Sequence, residues 1–253
     1  MRRTGRCSMS AGSGGRSFLT HTMLSEVLCM GPRTLVTVAG GLFIGLAASA
    51  STSAEQLHAT FIGNAAFHVT DGRLAVLTDF PYESGAFGYM TWSSTAVPSG
   101  PAPLCIISHS HADHFAADRA AALCGSILGP RDVVRDSGVE VVELQPEVRW
   151  QGITIRAFRT PHASVEHYSF LLEWAGKRVY FAGDTADTGT LLAARELDAA
   201  FVTPWLLEAV HETGRRIDAR QVIVCHHRVG QTVAEMQGRI VPSQGQVLSL
   251  GEQ

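Results

Sequence analysis

Positive charge is scarce in this chain of 253 residues, and Lys177 is its single lysine. Five of the 20 basic side chains fall within the first 54 residues, which hold one acidic residue, Glu26. Residues 55–253 therefore carry 15 basic and 22 acidic side chains, a formal charge of −7. A nucleic-acid surface needs clustered positive charge. The composition thus predicts no nucleic-acid partner.

Cysteine is also rare, with five residues in the chain and only three after residue 54: Cys105, Cys124 and Cys225. An odd number in an oxidising compartment leaves at least one free thiol or an intermolecular bridge. Cys105 and Cys225 lie in apolar runs typical of strands, which favours buried, inert thiols. A disulfide between Cys105 and Cys124 is the alternative.

An uncharged apolar run occupies residues 34–50, directly after Arg33. It ends in a small-x-small pattern, which predicts cleavage after Ala50 or after Ala54. We therefore predict a signal peptide and leader over 1–54 and an exported protein, periplasmic or secreted, with no stable membrane insertion after cleavage. The alternative is an uncleaved anchor, because 17 residues can just span a bilayer. Residues 55–253 suffice for one domain with a sizeable core.

The most informative stretch is residues 109–114, His-Ser-His-Ala-Asp-His. An apolar, β-branched run at 104–107 precedes it and an alanine-rich helix former at 115–123 follows it. Four metal-binding side chains are thus predicted to lie on a strand-to-helix turn, where a rigid scaffold presents them. The structural alternative is a polar surface loop that is rich in histidine.

The spacing within this turn has a physical use. Residues two apart in an extended turn project the same way, so His109 and His111 can hold one cation. Asp113 and His114 then point elsewhere and can serve a neighbouring one. Imidazole and carboxylate ligands together suit zinc, with iron and manganese as alternatives.

Strand patterns dominate the rest of the chain. Residues 57–79 read as three strands, with Asp71-Gly72 as a hairpin turn. Further hairpins are predicted over 148–158 and 168–182, and helices over 188–195 and 205–211. Two strand-rich parts with interspersed helices predict an α/β sandwich with both sheets inside.

Two features near the first strands allow two interpretations each. Asp79 ends the third strand, as a turn former or as a partner that orients a metal-bound histidine. Residues 82–100 form an aromatic loop that is either a lid over a pocket or ordinary packing.

Three more candidate ligands follow apolar strands. His162 comes after the strand that ends near Phe158, and Asp184 follows Gly183 at the end of another. His226 and His227 end the strand that begins near Val222. Each of these would be weak evidence alone.

Taken in order, the pattern H-x-H-x-D-H, His, Gly-Asp and a late His resembles the metallo-β-lactamase fold superfamily over residues 57 to about 230. The resemblance implies a single-domain, four-layer αββα sandwich that binds two divalent metal ions, Zn²⁺ with Mn²⁺ or Fe²⁺ as alternatives. His226 is preferred to His227 because the family places its late histidine directly after the strand. The implied ligands are His109, His111 and His162 for one ion, Asp113, His114 and His226 for the other, and Asp184 as the bridge.

The resemblance implies a hydrolase in which a metal-bridging hydroxide attacks an ester, lactone, amide or phosphodiester of a small or amphiphilic substrate. Asp113 and Asp184 are its implied catalytic residues. The alternatives are a mononuclear-iron sulfur dioxygenase and a non-catalytic metal-binding or sensor protein on the same fold. His111 stands where oxygen-reducing di-iron relatives carry Glu, which argues against that chemistry.

Three stretches resemble one branch of the superfamily, which contains L-ascorbate-6-phosphate lactonase and N-acyl-phosphatidylethanolamine phospholipase D. These stretches are residues 61–67, 77–79 and 160–162, although Phe80 departs from the usual Asp-Pro. Four other histidines match no motif position and are predicted to be structural or exposed: His58, His68, His167 and His211.

Overall fold

The computed structural model describes residues 56–92, 97, 99–135, 137–231, 233 and 238–252. The predicted leader and both predicted cleavage sites lie outside these residues. Among the helices of the described residues, none is both long and apolar enough to span a bilayer.

Fourteen strands of the described residues form two seven-stranded sheets. The first sheet has the order β14-β1-β2-β3-β4-β5-β6, antiparallel from β14 to β3 and parallel from β3 to β6. Its strands, in this order, are Val247–Ser249, His58–Gly63, Ala66–Thr70, Ala75–Thr78, Leu104–Ile106, Ser126–Leu128 and Glu140–Val141.

The second sheet has the order β13-β12-β11-β10-β9-β8-β7. It is antiparallel from β7 to β10 and parallel from β10 to β13, which repeats the arrangement of the first sheet. Its strands, in this order, are Arg239–Ile240, Ala219–Val224, Leu197–Val202, Lys177–Phe181, Tyr168–Trp174, Ile153–Arg159 and Glu147–Trp150.

Four α-helices of the described residues cover the outer faces of the sheets, and a short 3-10 helix spans Ala86–Gly88. The N-terminus of helix α4 is stabilised, because Thr203 Oγ1 accepts from the Leu206 N–H at 3.2 Å and Pro204 occupies the first helical position. Asp187 caps α3 through the Gly189 N–H. The helices are α1 (Ala117–Leu123), α2 (Arg131–Val134), α3 (Thr188–Ala193) and α4 (Pro204–Glu212).

Three apolar clusters separate these layers. One joins the facing sides of the two sheets, where Phe67 of β2 meets Phe201 of β11 with ring centroids 4.4 Å apart. A second packs the first sheet against α1 and α2, and a third packs the second sheet against α3 and α4. The described residues thus form a four-layer αββα sandwich, and the predicted fold class is confirmed.

The cysteine prediction needs a correction. The sequence favoured buried thiols, but Cys105 forms a disulfide with Cys124. Helix α1 runs back along β4, so its end comes within 5.6 Å (Cα–Cα) of Cys105, a distance that a disulfide spans. Cys225 is a buried free thiol, as predicted.

Candidate metal centre

The predicted ligands lie on loops that follow strands of both sheets. Residues 109–114 come shortly after β4 of the first sheet. His162 comes after β8, Asp184 after β10 and His226 after β12, all in the second sheet. The two sheets therefore bring together side chains that are up to 117 positions apart in the chain.

The first group of donor atoms contains three imidazoles and a carboxylate. His109 Nε2 lies 3.0 Å from His111 Nδ1, which lies 3.2 Å from His162 Nε2. Asp184 Oδ2 lies 3.3 Å from His162 Nε2. All four side chains offer a ligand atom within 4.8 Å of the others.

The second group is buried completely. His114 Nε2 lies 2.7 Å from His226 Nε2, and Asp113 Oδ2 lies 3.3 Å from the same nitrogen of His226. Asp184 Oδ2 is 3.9 Å from both His114 Nε2 and His226 Nε2. The Asp184 carboxylate thus lies between the two groups, and the structure brings all seven predicted ligands together.

The chemistry of the donor set fits divalent cations. His114 Nδ1 lies 3.0 Å from the Asp79 carboxylate and donates to it, which leaves the lone pair of His114 Nε2 facing Asp113 and His226. Burial lowers the pKa of His109, and the neighbouring imidazoles lower it further, so this ring is neutral. Imidazole nitrogens and carboxylate oxygens that converge in this way are the donor set that binds zinc and similar ions.

The Asp79 carboxylate holds the loop of residues 108–114 by hydrogen bonds. This carboxylate accepts from the Ser108 N–H at 2.6 Å and the Ser108 Oγ–H at 3.0 Å, besides His114. Burial lowers the pKa of His114, but the Asp79 carboxylate outweighs this and holds it above its usual value. Of the two interpretations that the sequence left open, the structure shows the partner that orients a histidine.

His167 holds Asp184 from its backbone side. The Asp184 N–H donates to His167 Nε2 at 2.9 Å, and His167 Nδ1 lies 2.8 Å from Thr160 Oγ1. Burial lowers the pKa of His167 to about 3, so the ring is neutral and free to accept. Gly183 has a φ of +65°, and a Cβ there would lie 2.5 Å from His167 Nε2. The sequence placed His167 among the structural or exposed histidines, and its contact with the site was missed.

Asn64 is a second residue that the sequence analysis missed. Its side chain is fully buried, accepts from the Met90 N–H at 2.9 Å and donates to the Asp113 carbonyl at 3.3 Å. Its own carbonyl accepts from the His226 N–H at 2.7 Å. One asparagine thus ties three loops around the second group. In the sequence it is only the second residue of a Gly-Asn turn.

Aromatic rings hold His226 in place. Its Nδ1 has no hydrogen-bond partner among the described residues, and its ring packs edge-on against Tyr89 at 4.4 Å and near Trp205 at 5.2 Å. Burial raises the pKa of Tyr89, and the Asp184 carboxylate raises it further. His227 belongs to neither group of donors; its Nδ1 lies 3.4 Å from the Arg228 carbonyl.

Of the two roles that the sequence left open for the aromatic loop, the structure shows packing. Tyr82 is buried and Trp92 packs against it and against Phe80, with ring centroids 6.3 and 4.8 Å apart. Tyr89 instead reaches the second group. A groove of about 630 Å³ borders the centre, and His162, Asp184 and Trp205 are among its walls.

The comparisons with known proteins agree with this geometry. A family model described as a beta-lactamase superfamily domain matches residues 58–226. The chain belongs to this family. The family match confirms the predicted resemblance to the metallo-β-lactamase superfamily. No curated protein sequence matches the chain.

Solved structures of the metallo-β-lactamase fold resemble the chain at low sequence identity. Igni18, a metallo hydrolase from Ignicoccus hospitalis, has a TM-score of 0.56 at 15% identity, with 78% of this chain and 100% of that chain covered. YhfI from Bacillus subtilis has a TM-score of 0.54 at 16% identity, covering 76% and 99%. An isothiocyanate hydrolase from Delia radicum gut bacteria has a TM-score of 0.55 at 14% identity, covering 76% and 98%.

At these identities the likeness shows the fold alone. The comparisons do not support the narrower branch that contains L-ascorbate-6-phosphate lactonase and N-acyl-phosphatidylethanolamine phospholipase D. That assignment stays a prediction.

Proposed function

We propose that this protein is a metal-dependent hydrolase with a dinuclear centre. The observation that carries the proposal is the position of Asp184 Oδ2, 3.3 Å from His162 in the first group and 3.9 Å from His114 and His226 in the second. A carboxylate in that position is suited to ligate two cations at once. Family membership and the hydrolases among the structures of the same fold support the reaction class.

The donor groups divide the work between two ions. His109, His111 and His162 would hold the first, with Asp184 shared, and the second would be held by the buried group Asp113, His114 and His226. Two Zn²⁺ ions, or Mn²⁺ or Fe²⁺ in their place, would supply Lewis acidity and lower the pKa of a bound water towards neutrality.

The chain's own carboxylates complete the proposed mechanism. Asp184 is partly exposed to the groove, so its carboxylate is placed to accept a proton and pass it towards a leaving group. Asp113 is buried and offsets positive charge within the second group. The His167 contact to the Asp184 backbone fixes where that carboxylate points.

The shape and lining of the groove support a substrate class. The wall beside Asp184 is apolar, with Trp205, Pro161, Ala163 and Ala186. A volume of about 630 Å³ is that of a small-molecule site. These features support a small or amphiphilic ester, lactone, amide or phosphodiester as substrate.

The second donor group argues against the two alternatives. A mononuclear-iron sulfur dioxygenase would use only the first group, which leaves two buried histidines and a buried carboxylate converging without a role. Burying such groups without partners is costly. A sensor without turnover has no need of a groove that opens onto the shared carboxylate.

We also infer export as the location of the protein. The Cys105–Cys124 disulfide supports it, because disulfides persist mainly in oxidising compartments. The apolar run at 34–50 supplies the corresponding sorting signal.

The test is elemental analysis of protein purified after expression of the full chain, with a screen of ester, lactone, amide, phosphodiester and β-lactam substrates. Close to two zinc or manganese ions per chain with turnover of any substrate is the expected result. One iron per chain without hydrolysis would favour the dioxygenase. Protein that binds no metal on titration would refute the proposal.

Three variants sharpen the test. Asp184→Ala is expected to abolish hydrolysis and weaken binding of both ions while the circular dichroism spectrum stays native. His226→Ala should lower activity far more than His227→Ala, since His227 contributes to neither group. A fully active Asp184→Ala variant would rule out the mechanism. A larger loss of activity in His227→Ala than in His226→Ala would show that His227, not His226, is the ligand.

A further inference from the structure

An exposed guanidinium lies beside the second donor group. Arg228 follows His226 by two residues, and its Cζ lies 5.0 Å from the centroid of the Tyr89 ring. That ring in turn packs edge-on against His226 at 4.4 Å. A cation therefore lies against an aromatic ring that also contacts a predicted metal ligand.

The Arg228 side chain keeps donors free for a ligand. Within the described part of the chain, none of the ion pairs includes its guanidinium. Its Nη1 makes one long contact of 3.4 Å with the Phe87 carbonyl, and its backbone N–H donates to Gln231 Oε1 at 2.9 Å. These contacts and the Tyr89 ring direct the side chain without neutralising its charge.

The two sides of the second group therefore differ in chemistry. Trp205 lies 5.2 Å from the His226 ring and continues into the apolar wall of the groove. Tyr89 lies on the same imidazole and presents the Arg228 cation. His226 itself is buried, but a molecule that extends from the Trp205 wall towards Tyr89 meets apolar surface at one end and a planar, five-donor cation at the other.

We propose that Arg228 recognises an oxyanion of the substrate, and that the substrate combines a carboxylate-type group with an apolar part that rests against Trp205. Guanidinium binds such planar oxyanions through two parallel hydrogen bonds, which gives both affinity and orientation. This inference rests on the proposed hydrolase function, whose substrate class it narrows to small anionic esters, lactones or amides. Arg228 is a specificity residue, while the chemistry stays with the donor groups.

The test compares two esters of similar length, 4-nitrophenyl hydrogen adipate, which is anionic, and 4-nitrophenyl hexanoate, which is neutral. Arg228→Gln should lower the ratio of their kcat/KM values by about tenfold to hundredfold, the range for a lost charge-assisted hydrogen bond. Arg228→Lys should restore part of the ratio. The matched control is Arg216→Gln, an exposed arginine beyond the end of α4, which should leave the ratio unchanged.

A binding measurement makes the inference independent of turnover. Metal-loaded wild type should bind phenylacetate at least tenfold more tightly than Arg228→Gln does, as measured by calorimetry, whereas neutral 2-phenylethanol should bind both equally. Carboxylate binding to the ions themselves is common to both proteins and cancels in this comparison.

The outcomes separate the two claims. A wild type that hydrolyses no substrate of any class refutes the proposed function, while the phenylacetate comparison still decides the role of Arg228. Equal phenylacetate affinity in wild type and Arg228→Gln overturns the inference, as does an unchanged adipate-to-hexanoate ratio in an active Arg228→Gln enzyme.

Discussion

Asp79→Asn is the sharpest perturbation of the centre that leaves the predicted ligands intact. The wild-type carboxylate accepts from the Ser108 N–H, the Ser108 hydroxyl and the His114 ring. Asparagine has the same shape, and its carbonyl oxygen can still accept from the Ser108 backbone. Its NH₂ group would then face the Nδ1–H of His114, and two donors cannot bond. His114 would therefore move its proton to Nε2, the atom that lies 2.7 Å from His226 Nε2.

The size of the effect follows from these contacts. A proton on Nε2 removes the lone pair with which His114 would bind the second ion. Loss of such an orienting partner typically costs tenfold to hundredfold in metal affinity. Loss of the charge-assisted hydrogen bond should also lower the unfolding free energy by about 1–3 kcal/mol. The first group should be weakened less than the second, because Asp79 reaches His109 only through the Ser108 hydroxyl, whose Oγ lies 3.0 Å from both Asp79 Oδ2 and His109 Nδ1.

The assay is zinc competition against a chromogenic chelator, with Asp118→Asn as the control. Asp118 is an exposed carboxylate in the first turn of α1. Wild type and the control should show two tight sites, and Asp79→Asn one tight and one weakened site. Equal weakening of both sites, or two unaltered sites, would show that Asp79 does not set the His114 tautomer.

Three further predictions concern the scaffold. Gly183→Ala should lower zinc affinity and cost about 1–3 kcal/mol of unfolding free energy, because the added Cβ would clash with His167. The control is Gly176→Ala, since Gly176 also has a positive φ, of +70°, but no described atom lies within 4 Å of the added Cβ. Equal effects of the two substitutions would contradict this prediction. Replacing Cys105 and Cys124 by alanine should cost about 3 kcal/mol in chemical denaturation, since the bridge closes a 19-residue separation, and an unaltered midpoint would refute it. Burial raises the pKa of Asp71, but hydrogen bonds from two backbone N–H groups and a tryptophan ring outweigh this and hold it below the usual 3.8. The carboxylate thus stabilises the fold above that pH, and Asp71→Asn should cost about 1–2 kcal/mol at pH 7, a difference that disappears as the pH falls through the folded-state pKa; a pH-independent difference would contradict it.

Much of the fold could be predicted because its strands are marked locally. The hairpin predicted over 168–182 is confirmed as β9 and β10, since its two apolar strands are joined by a sharp Ala-Gly turn. The sequence also predicts a strand over 139–144, and in the structure this strand covers only Glu140–Val141, because β6 is an edge strand that pairs on one side only. The short strand β13 was not predicted, and two residues offer too little periodicity to detect.

The candidate site divides in the same way. The predicted ligands are recognisable because each is a strong metal-binding residue type at the end of an apolar strand. Asn64 and His167 were not predicted, because their contacts join residues that are distant in the sequence. The Asn64 side chain contacts residues 26 and 49 positions away, and the His167 side chain contacts a residue 17 positions away. Neither residue type by itself indicates such a role. The Cys105–Cys124 disulfide was only the alternative in the sequence analysis for a similar reason, since it depends on the direction in which α1 returns along β4.

The centre also has a structural consequence for the sandwich. Each donor group draws on both sheets: the first combines His109 and His111 with side chains that follow β8 and β10, and the second combines Asp113 and His114 with His226 after β12. Neither sheet contains a complete group, so the centre forms only when the two sheets are packed against each other. Metal binding is then linked to folding, because the binding free energy is available only to the assembled sandwich. The same linkage accounts for fully buried imidazoles beside buried carboxylates, an arrangement that is costly without a cation and stabilising with one.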